Sequence, residues 1–120
     1  MTPASVKSFG VTLRVGRRMA GAPFGRLDIG DEGITVRSWI PAWIGPRSAP
    51  KDSITEVILY GWPALYIKFT DEQAKLADVS VNPVRFRRVR REFRARGYPV
   101  VDLRLFQRGH SRPDEMPPLG

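Results

Sequence analysis

Seven arginines lie within twelve residues, from Arg85 to Arg96, and no other side chains of this chain are so clearly spaced for one chemistry. Residues 83–97 hold these seven arginines and one glutamate, a net charge of +6, while all 120 residues together carry +8. A guanidinium group binds carboxylates and phosphates through paired hydrogen bonds. A positive charge confined to so short a segment therefore predicts an anionic partner.

The same segment has the end signals of a helix over residues 83–96. Asn82 suits the N-cap and Pro83 the first helical position, while Gly97 suits the left-handed residue that follows a helix. Three apolar residues recur at helical spacing and should dock on the rest of the protein. They are Phe86, Val89 and Phe93.

A different arc of this helix, about 100° wide, holds four arginines and no acidic residue. They are Arg87, Arg90, Arg91 and Arg94. We interpret this arc as the binding face for an acidic protein partner or an anionic membrane surface. A nucleic acid bound through its phosphates is the alternative partner, and a face that only keeps the protein soluble is a third interpretation. Glu92 lies outside the arc, one turn from both Arg88 and Arg96, and it can pair with either.

Residues 40–52 contain three prolines and have the composition of a loop. A second candidate contact surface lies at the start of this loop and includes the residue just before it. Large apolar side chains beside basic residues are typical of membrane-interface anchors, and they would equally suit a protein contact. Folding back over the open end of a sheet is the remaining interpretation, since tryptophan is usually mostly buried. The side chains concerned are Trp39, Ile40, Trp43 and Ile44.

The sequence contains no arrangement of residues that is typical of catalysis. It has no cysteine, and His110 is its one histidine, so neither a nucleophile–base pair nor a metal cluster is predicted. Glycine motifs that bind phosphate or dinucleotides are missing as well. Asp28, Asp31 and Glu32 surround a glycine-flanked turn and are interpreted as turn residues. We therefore expect no enzyme activity, no catalytic residue, no metal and no cofactor.

Most of the chain alternates between apolar and polar residues, which is the pattern of half-buried strands. A mainly β fold of the α+β type is expected, in a single domain over residues 1–107. Its N-terminal strand is 9–15 and its core 24–97; a further strand can form over 99–105, before a disordered tail at 108–120. An unpaired edge strand of such a sheet could join two copies of the chain. The other strands are predicted at 26–29, 34–37, 54–60, 65–69 and 77–81, with a loop at 16–25.

The order of these features resembles the bacterial pleckstrin-homology-like family across residues 24–97. The similar segments are the hairpin FGRLDIGDEGITVRSW, the strand ITEVILY, the stretch LYIKFTDEQAKLADVSV and the helix NPVRFRRVRREFRARG. The resemblance implies curved antiparallel sheets that form an open barrel capped by one C-terminal amphipathic helix, and a binding module rather than an enzyme.

The chain departs from this family at two points. A further strand can form after the helix, where the family normally ends, and six strands are predicted before the helix where the family has seven, unless part of 46–53 pairs. The basic motif that the eukaryotic lipid-binding members carry between their first two strands is not matched either. No lipid-binding residues are therefore carried over from the family.

The overall composition is 42% hydrophobic and 27% charged, which is ordinary for a soluble globular protein. The sequence contains no run of about 18 apolar residues that could span a membrane, and no apolar run of signal-peptide length near its start. We expect a cytoplasmic protein, which would be peripheral to the membrane if the arginine face binds lipid.

Overall fold

The structure is a computed structural model that describes residues 6–38, 44–62 and 64–103. These residues form eight strands, one helix and a short 3₁₀ turn. The strands are β1 (Val6–Val15), β2 (Arg18–Gly30), β3 (Gly33–Ser38), β4 (Ile44–Pro50), β5 (Ile54–Tyr60), β6 (Tyr66–Asp71), β7 (Val79–Pro83) and β8 (Val100–Leu103). The helix is α1 (Phe86–Ala95), and the 3₁₀ turn is Lys51–Ser53. The prediction of a mainly β fold is confirmed.

All eight strands belong to one sheet, in the order β4-β3-β2-β1-β7-β6-β5-β8. Neighbouring strands are antiparallel except β5 and β8, which run parallel with Val57 opposite Val100. The expected antiparallel sheets are therefore found only in part, because the described strands form one mixed sheet. The chain reaches β8 only after α1, and a helical crossover allows such a parallel return. Residues 104–120, which include the predicted tail and His110, lie outside the described ranges.

Alternate residues of the strands face a common core, as their period of two predicts. On β1, Val11 and Leu13 are fully buried and Val15 is nearly so. Leu27 of β2 lies opposite Val36 of β3, and both are fully buried. Because every second side chain of a strand points to the same face, this register gives one continuous apolar layer.

Residues 16–25, predicted as a loop, instead continue the sheet. The chain turns at Gly16 and Arg17, so that Val15 pairs with Arg18 and β2 begins there. Gly16 has φ of 60°, and glycine supplies this positive φ without the steric cost that other residues have.

A bulge in β2 explains why this stretch has the composition of a loop. The register shifts between the pair Val11–Gly25 and the pair Leu13–Ala20, so residues 21–24 have no Cα partner on β1. Alanine, glycine and proline in these positions are what a bulge tolerates.

The segment 40–52, also predicted as a loop, contains the edge strand β4 from Ile44 onward. Pro46 and Pro50 are tolerated there because an edge strand has one side that needs no ladder hydrogen bonds. Seven strands therefore precede α1, whereas six were predicted. Trp39, Ile40 and Trp43 lie outside the described residues.

The polar stretch before β7 is held by Asp71. Its carboxylate accepts hydrogen bonds from the backbone N–H groups of Lys75 and Leu76, each at 2.9 Å, and the Leu76 side chain is fully buried. β7 consequently begins at Val79, and Ala77, predicted to face inward, is exposed.

The helix begins at Phe86, three residues later than predicted. Pro83 is the last residue of β7, opposite Val11, and the Asn82 amide donates to the backbone carbonyl of Leu65 at 3.2 Å instead of capping the helix. The N-cap position is occupied by Arg85, whose side chain makes no capping hydrogen bond.

The end of α1 has the predicted glycine. Gly97 has φ of 76°, and its N–H donates to Arg94 O while the N–H of Tyr98 donates to Phe93 O, both at 3.1 Å. These two bonds are those of a Schellman motif, in which a left-handed glycine ends a helix.

The apolar stripe of α1 packs on the sheet as predicted. Val89 and Phe93 are fully buried, and Phe86 is partly buried against the core. The Phe93 ring lies edge-on to Phe69, with ring centres 5.9 Å apart, and edge-on to Tyr98, with ring centres 5.3 Å apart. Among the described residues, no helix is long and apolar enough to cross a membrane.

Candidate anion-binding site

The four arginines of the predicted binding arc fall into two pairs with different surroundings. Arg90 and Arg94 lie against β8, where both bond the carboxylate of Asp102. In Arg90, Nη2 donates to Asp102 Oδ2 at 3.2 Å, and Nε lies 3.2 Å from Oδ1. One carboxylate thus serves two guanidinium groups, and it neutralises half of their charge.

The other two members of the arc have no such partner. Within the described ranges, no carboxylate lies within 4 Å of the side chain of Arg87 or Arg91, and both residues are exposed. We call these two residues the outer arginines.

On the side of α1 away from β8 lies a half-open groove with a volume of about 660 Å³. Its floor is the stretch of β1 from Lys7 to Gly10, one wall is the bulge of β2, and the other is the start of α1. We call it the basic groove, after the five cations that line it. They are Lys7, Arg26, Arg85, Arg88 and Arg91.

Glu92 is the one acidic residue among the described groove-lining residues, and its charge is already engaged. Its Oε2 accepts a hydrogen bond from Arg96 Nε at 2.6 Å. The side chain of Arg96 is 8% exposed and also bonds Asp31 at 2.9 Å. The hydrogen bond to Glu92 raises the pKa of Arg96 above its already high usual value, so this pair stays charged. Of the two partners predicted for Glu92, Arg96 and not Arg88 makes the contact.

Arg26 is held in place at the floor of the groove. Its Nε and Nη2 donate to Ser8 Oγ on the neighbouring strand at 3.2 and 3.0 Å. Gly10 leaves room in front of it, because a Cβ at that position would lie 2.9 Å from Pro23 Cβ and 3.4 Å from Arg26 Nη1. The missing side chain therefore keeps the guanidinium accessible.

The start of α1 adds to the positive potential of the groove. The first turn contains no acidic residue, and the side chain at the N-cap, Arg85, makes no capping hydrogen bond to its free N–H groups. These N–H groups carry the positive end of the helix dipole.

Two exposed apolar side chains accompany these cations. Val84 lines the groove and is 62% exposed, and Phe24, in the bulge beside Pro23, is 49% exposed. Ile44, by contrast, is 3% exposed at the start of β4, so its side chain belongs to the core. Cations beside exposed apolar groups therefore occur at the groove itself.

Sequence reasoning missed most of the groove. Arg85 and Arg88 belong to the arginine-rich segment but lie outside the predicted binding arc. They are spaced six and three residues before Arg91, so they continue its side of the helix. Lys7 and Arg26 lie far from them in sequence, and only the register of β1 with β2 and the bulge bring them together.

The site is suited to binding anions by charge and hydrogen bonding. Residues 6–38, 44–62 and 64–103 hold no group of three or more His, Cys, Asp or Glu that could bind a metal ion. No protein-family model matches the chain, and no curated protein matches it either.

Proposed function

We propose that this protein is a non-enzymatic binding module that docks through the arginine-rich side of α1 on an anionic partner. One observation supports the proposal most directly. The outer arginines are exposed, and the described residues place no carboxylate next to them. A helix accepts repulsion between such side chains at a cost of about 0.2–0.5 kcal/mol for each like-charge pair one turn apart. An anion that binds there removes this cost.

We further propose an architecture of the pleckstrin-homology-like kind, in which the curved sheet forms an open barrel and α1 caps one end. Seven strands before the helix and a helix that buries its apolar stripe against them support this proposal. β8 is an addition to that plan.

Between an anionic membrane surface and an acidic protein, the surroundings of the cations favour the membrane. Val84 is exposed in the lining of the basic groove, and Phe24 is exposed in the bulge next to Pro23. Apolar side chains at the headgroup level assist electrostatic attachment. Each Lys or Arg near an anionic bilayer contributes about 1 kcal/mol. The exposed arginines of α1 therefore suffice for reversible docking on an anionic membrane.

The proposal is tested by sedimentation with vesicles of phosphatidylcholine alone and of phosphatidylcholine with phosphatidylglycerol, at several salt concentrations. We expect binding to the anionic vesicles only, weaker at high salt. The variant Arg87→Gln/Arg91→Gln should lose about 2 kcal/mol of binding free energy, roughly thirtyfold in affinity.

The matched control is Arg17→Gln/Lys75→Gln, which also removes two exposed cations. Arg17 lies seven residues along the hairpin from Gly10, roughly 23 Å away at the rise of a strand. Equal losses in both variants would mean that net charge, and not this surface, drives binding. Binding to poly-glutamate without binding to vesicles would identify an acidic protein as the partner. Tight binding to duplex DNA with a log–log salt slope of about −3 to −4 would favour the nucleic-acid alternative.

A further inference from the structure

We propose that the basic groove is a binding site for a compact, soluble ligand that carries two or more neighbouring phosphate groups. The groove shares Arg91 with the outer arginines, but the inference concerns its inside and does not require that the outer arginines dock on a membrane. It rests on the charge balance of the groove, its shape and the way in which its cations are held.

The charge balance calls for a multiply charged ligand. Five cations line the groove against the single carboxylate of Glu92, which leaves a net charge of +4 even when Glu92 is counted in full. A phosphate monoester carries about −1.5 to −2 at neutral pH, so two such groups match this charge. A dicarboxylate supplies only half of it.

The spacing of the helix arginines also suits closely placed anionic groups. Arg85, Arg88 and Arg91 follow one another at intervals of three, so that they project from neighbouring positions of the same face. Arginine forms bidentate hydrogen bonds with phosphate oxygens. Three adjacent guanidinium groups can therefore share the oxygens of two linked phosphates.

The shape of the groove favours a small ligand over a macromolecule. A volume of about 660 Å³ lies within the range of small-molecule sites, about 300–1,000 Å³. A concave site of one charge concentrates its field and attracts counter-ions. Phe9, Pro23 and Val84 line the groove together with the cations, and they can contact an apolar part of the ligand.

The cations are held on connected elements. Ser8 fixes Arg26 through two hydrogen bonds, and the N–H of Val84 donates to Gly10 O at 3.1 Å, which joins the segment before α1 to the groove floor. Binding therefore requires little ordering of the Arg26 side chain or of the backbone before α1, a condition that improves affinity.

Isothermal titration of the full chain at low salt provides the test, with inorganic tripolyphosphate as the probe. We expect saturable binding of one tripolyphosphate per chain, at least about tenfold tighter than that of orthophosphate or citrate. Citrate matches the probe in small size and multiple charge, but its charges are on carboxylates and not on phosphates. Absence of saturable binding, or equal affinity for citrate, would overturn the proposal.

Two neighbouring arginines supply the variant and its control. Arg88→Gln removes a groove cation and should weaken tripolyphosphate binding about tenfold or more, the effect of losing a hydrogen bond to a charged group. Arg87→Gln removes the same charge one residue away, outside the groove lining, and should change affinity less than about twofold. Equal losses would refute a defined site.

Ser8→Ala tests the positioning of Arg26 without any change in net charge. It should weaken tripolyphosphate binding by about threefold or more, because Arg26 then has to be ordered by the ligand. Unchanged affinity in both Ser8→Ala and Arg26→Gln would show that Arg26 does not contact the ligand and would contradict a site that includes the groove floor. Circular dichroism shows whether each variant is folded.

The vesicle and tripolyphosphate experiments can fail independently. If tripolyphosphate binding depends on Arg88 but not Arg87, and the protein does not bind anionic vesicles, this inference stands and the proposed docking function is refuted. If vesicle binding depends on Arg87 and Arg91, and no saturable tripolyphosphate binding is found, the docking function stands and this inference is refuted.

Discussion

The hydroxyl of Tyr98 donates a hydrogen bond to the backbone carbonyl oxygen of Gly30 at 2.7 Å. Gly30 is the last residue of β2, and Tyr98 follows the glycine that ends α1, so this bond fastens the helix end to the sheet. Three further contacts reinforce the same junction. Arg96 bonds Asp31, and the Lys51 ammonium donates to Arg96 O and lies 5.3 Å from the Tyr98 ring centre. Together they fix the direction in which the arginines of α1 project.

Tyr98→Phe should lower the free energy of unfolding by about 1–2 kcal/mol, because it leaves the buried carbonyl of Gly30 without its partner. Urea unfolding followed by circular dichroism measures the change. Tyr66→Phe is the matched control: Tyr66 stacks on Tyr60, and the structure gives its hydroxyl no hydrogen-bond partner among the described residues. A loss in Tyr66→Phe as large as that in Tyr98→Phe would contradict the role of the Gly30 bond.

Stability at alkaline pH should depend on the same tyrosine. Burial raises the pKa of Tyr98 from 10.0 to about 12, so the folded protein keeps a proton that the unfolded chain has already lost. The contribution is complete below about pH 10 and disappears as the pH rises towards about 12. Over this window the free energy of unfolding should fall by at most about 3 kcal/mol from this group.

The measurement for this prediction is the difference in unfolding free energy between the wild type and Tyr98→Phe at a series of pH values from about 9 to about 12. All other ionisable groups are common to the two proteins, so the difference isolates Tyr98. We expect the wild type to lose its advantage as the pH rises. A difference that stays constant across the series would show that burial does not shift this pKa.

The helix end and the strands of the core were predictable because each depends on local signals. Gly97 ends α1 at the predicted position, because glycine adopts the positive φ that this helix end requires. Phe93 and Val89 are buried because their spacing places them on one face. On β1, alternation alone identifies Val11 and Leu13 as core residues.

The groove was not predictable, because long-range pairing creates it. Arg26 meets Ser8 across 18 residues only in the register that β1 and β2 adopt around their bulge, and no local pattern specifies that bulge. The position of Asp102 beside Arg90 and Arg94 depends on the parallel return of β8. The alternation of apolar and polar residues predicted a strand over 99–105, but it could not predict that this strand pairs with β5.

Gly97→Ala should destabilise the protein by about 1–2 kcal/mol, since an L side chain at a φ of 76° has the steric cost of the left-handed region. Thermal and urea unfolding both report this loss. Gly21→Ala is the control, because a Cβ at Gly21 meets no heavy atom within 4 Å and its φ is not in that region. We expect little change there. A neutral Gly97→Ala would mean that the helix end can be rebuilt without a left-handed residue.

Phe93→Ala should cost about 3–5 kcal/mol, the usual loss for a large aromatic ring removed from a core. The ring is fully buried between Phe69 and Tyr98, so its removal leaves a cavity beneath α1. Phe24→Ala removes the same ring from an exposed bulge and should change the unfolding free energy by less than about 0.5 kcal/mol. It should nevertheless weaken binding to anionic vesicles. Equal stability losses in the two variants would contradict the packing of α1 on the sheet.

Asp102→Asn should strengthen binding to anionic vesicles, because it releases Arg90 and Arg94 from the carboxylate that they share. One negative charge removed beside the docking surface corresponds to about 1 kcal/mol, roughly fivefold in affinity. The free energy of unfolding should fall by less than about 1 kcal/mol, since the pairs are largely exposed.

Glu72→Gln is the control for Asp102→Asn. It removes one exposed negative charge from a turn between β6 and β7 that carries none of the arginines of α1. Vesicle sedimentation at matched salt should show a clearly smaller gain for Glu72→Gln. If the two gains are equal, the shared carboxylate does not mask Arg90 and Arg94, and only net charge matters. If Asp102→Asn weakens binding instead, Asp102 serves to hold the two arginines in the orientation that the membrane requires.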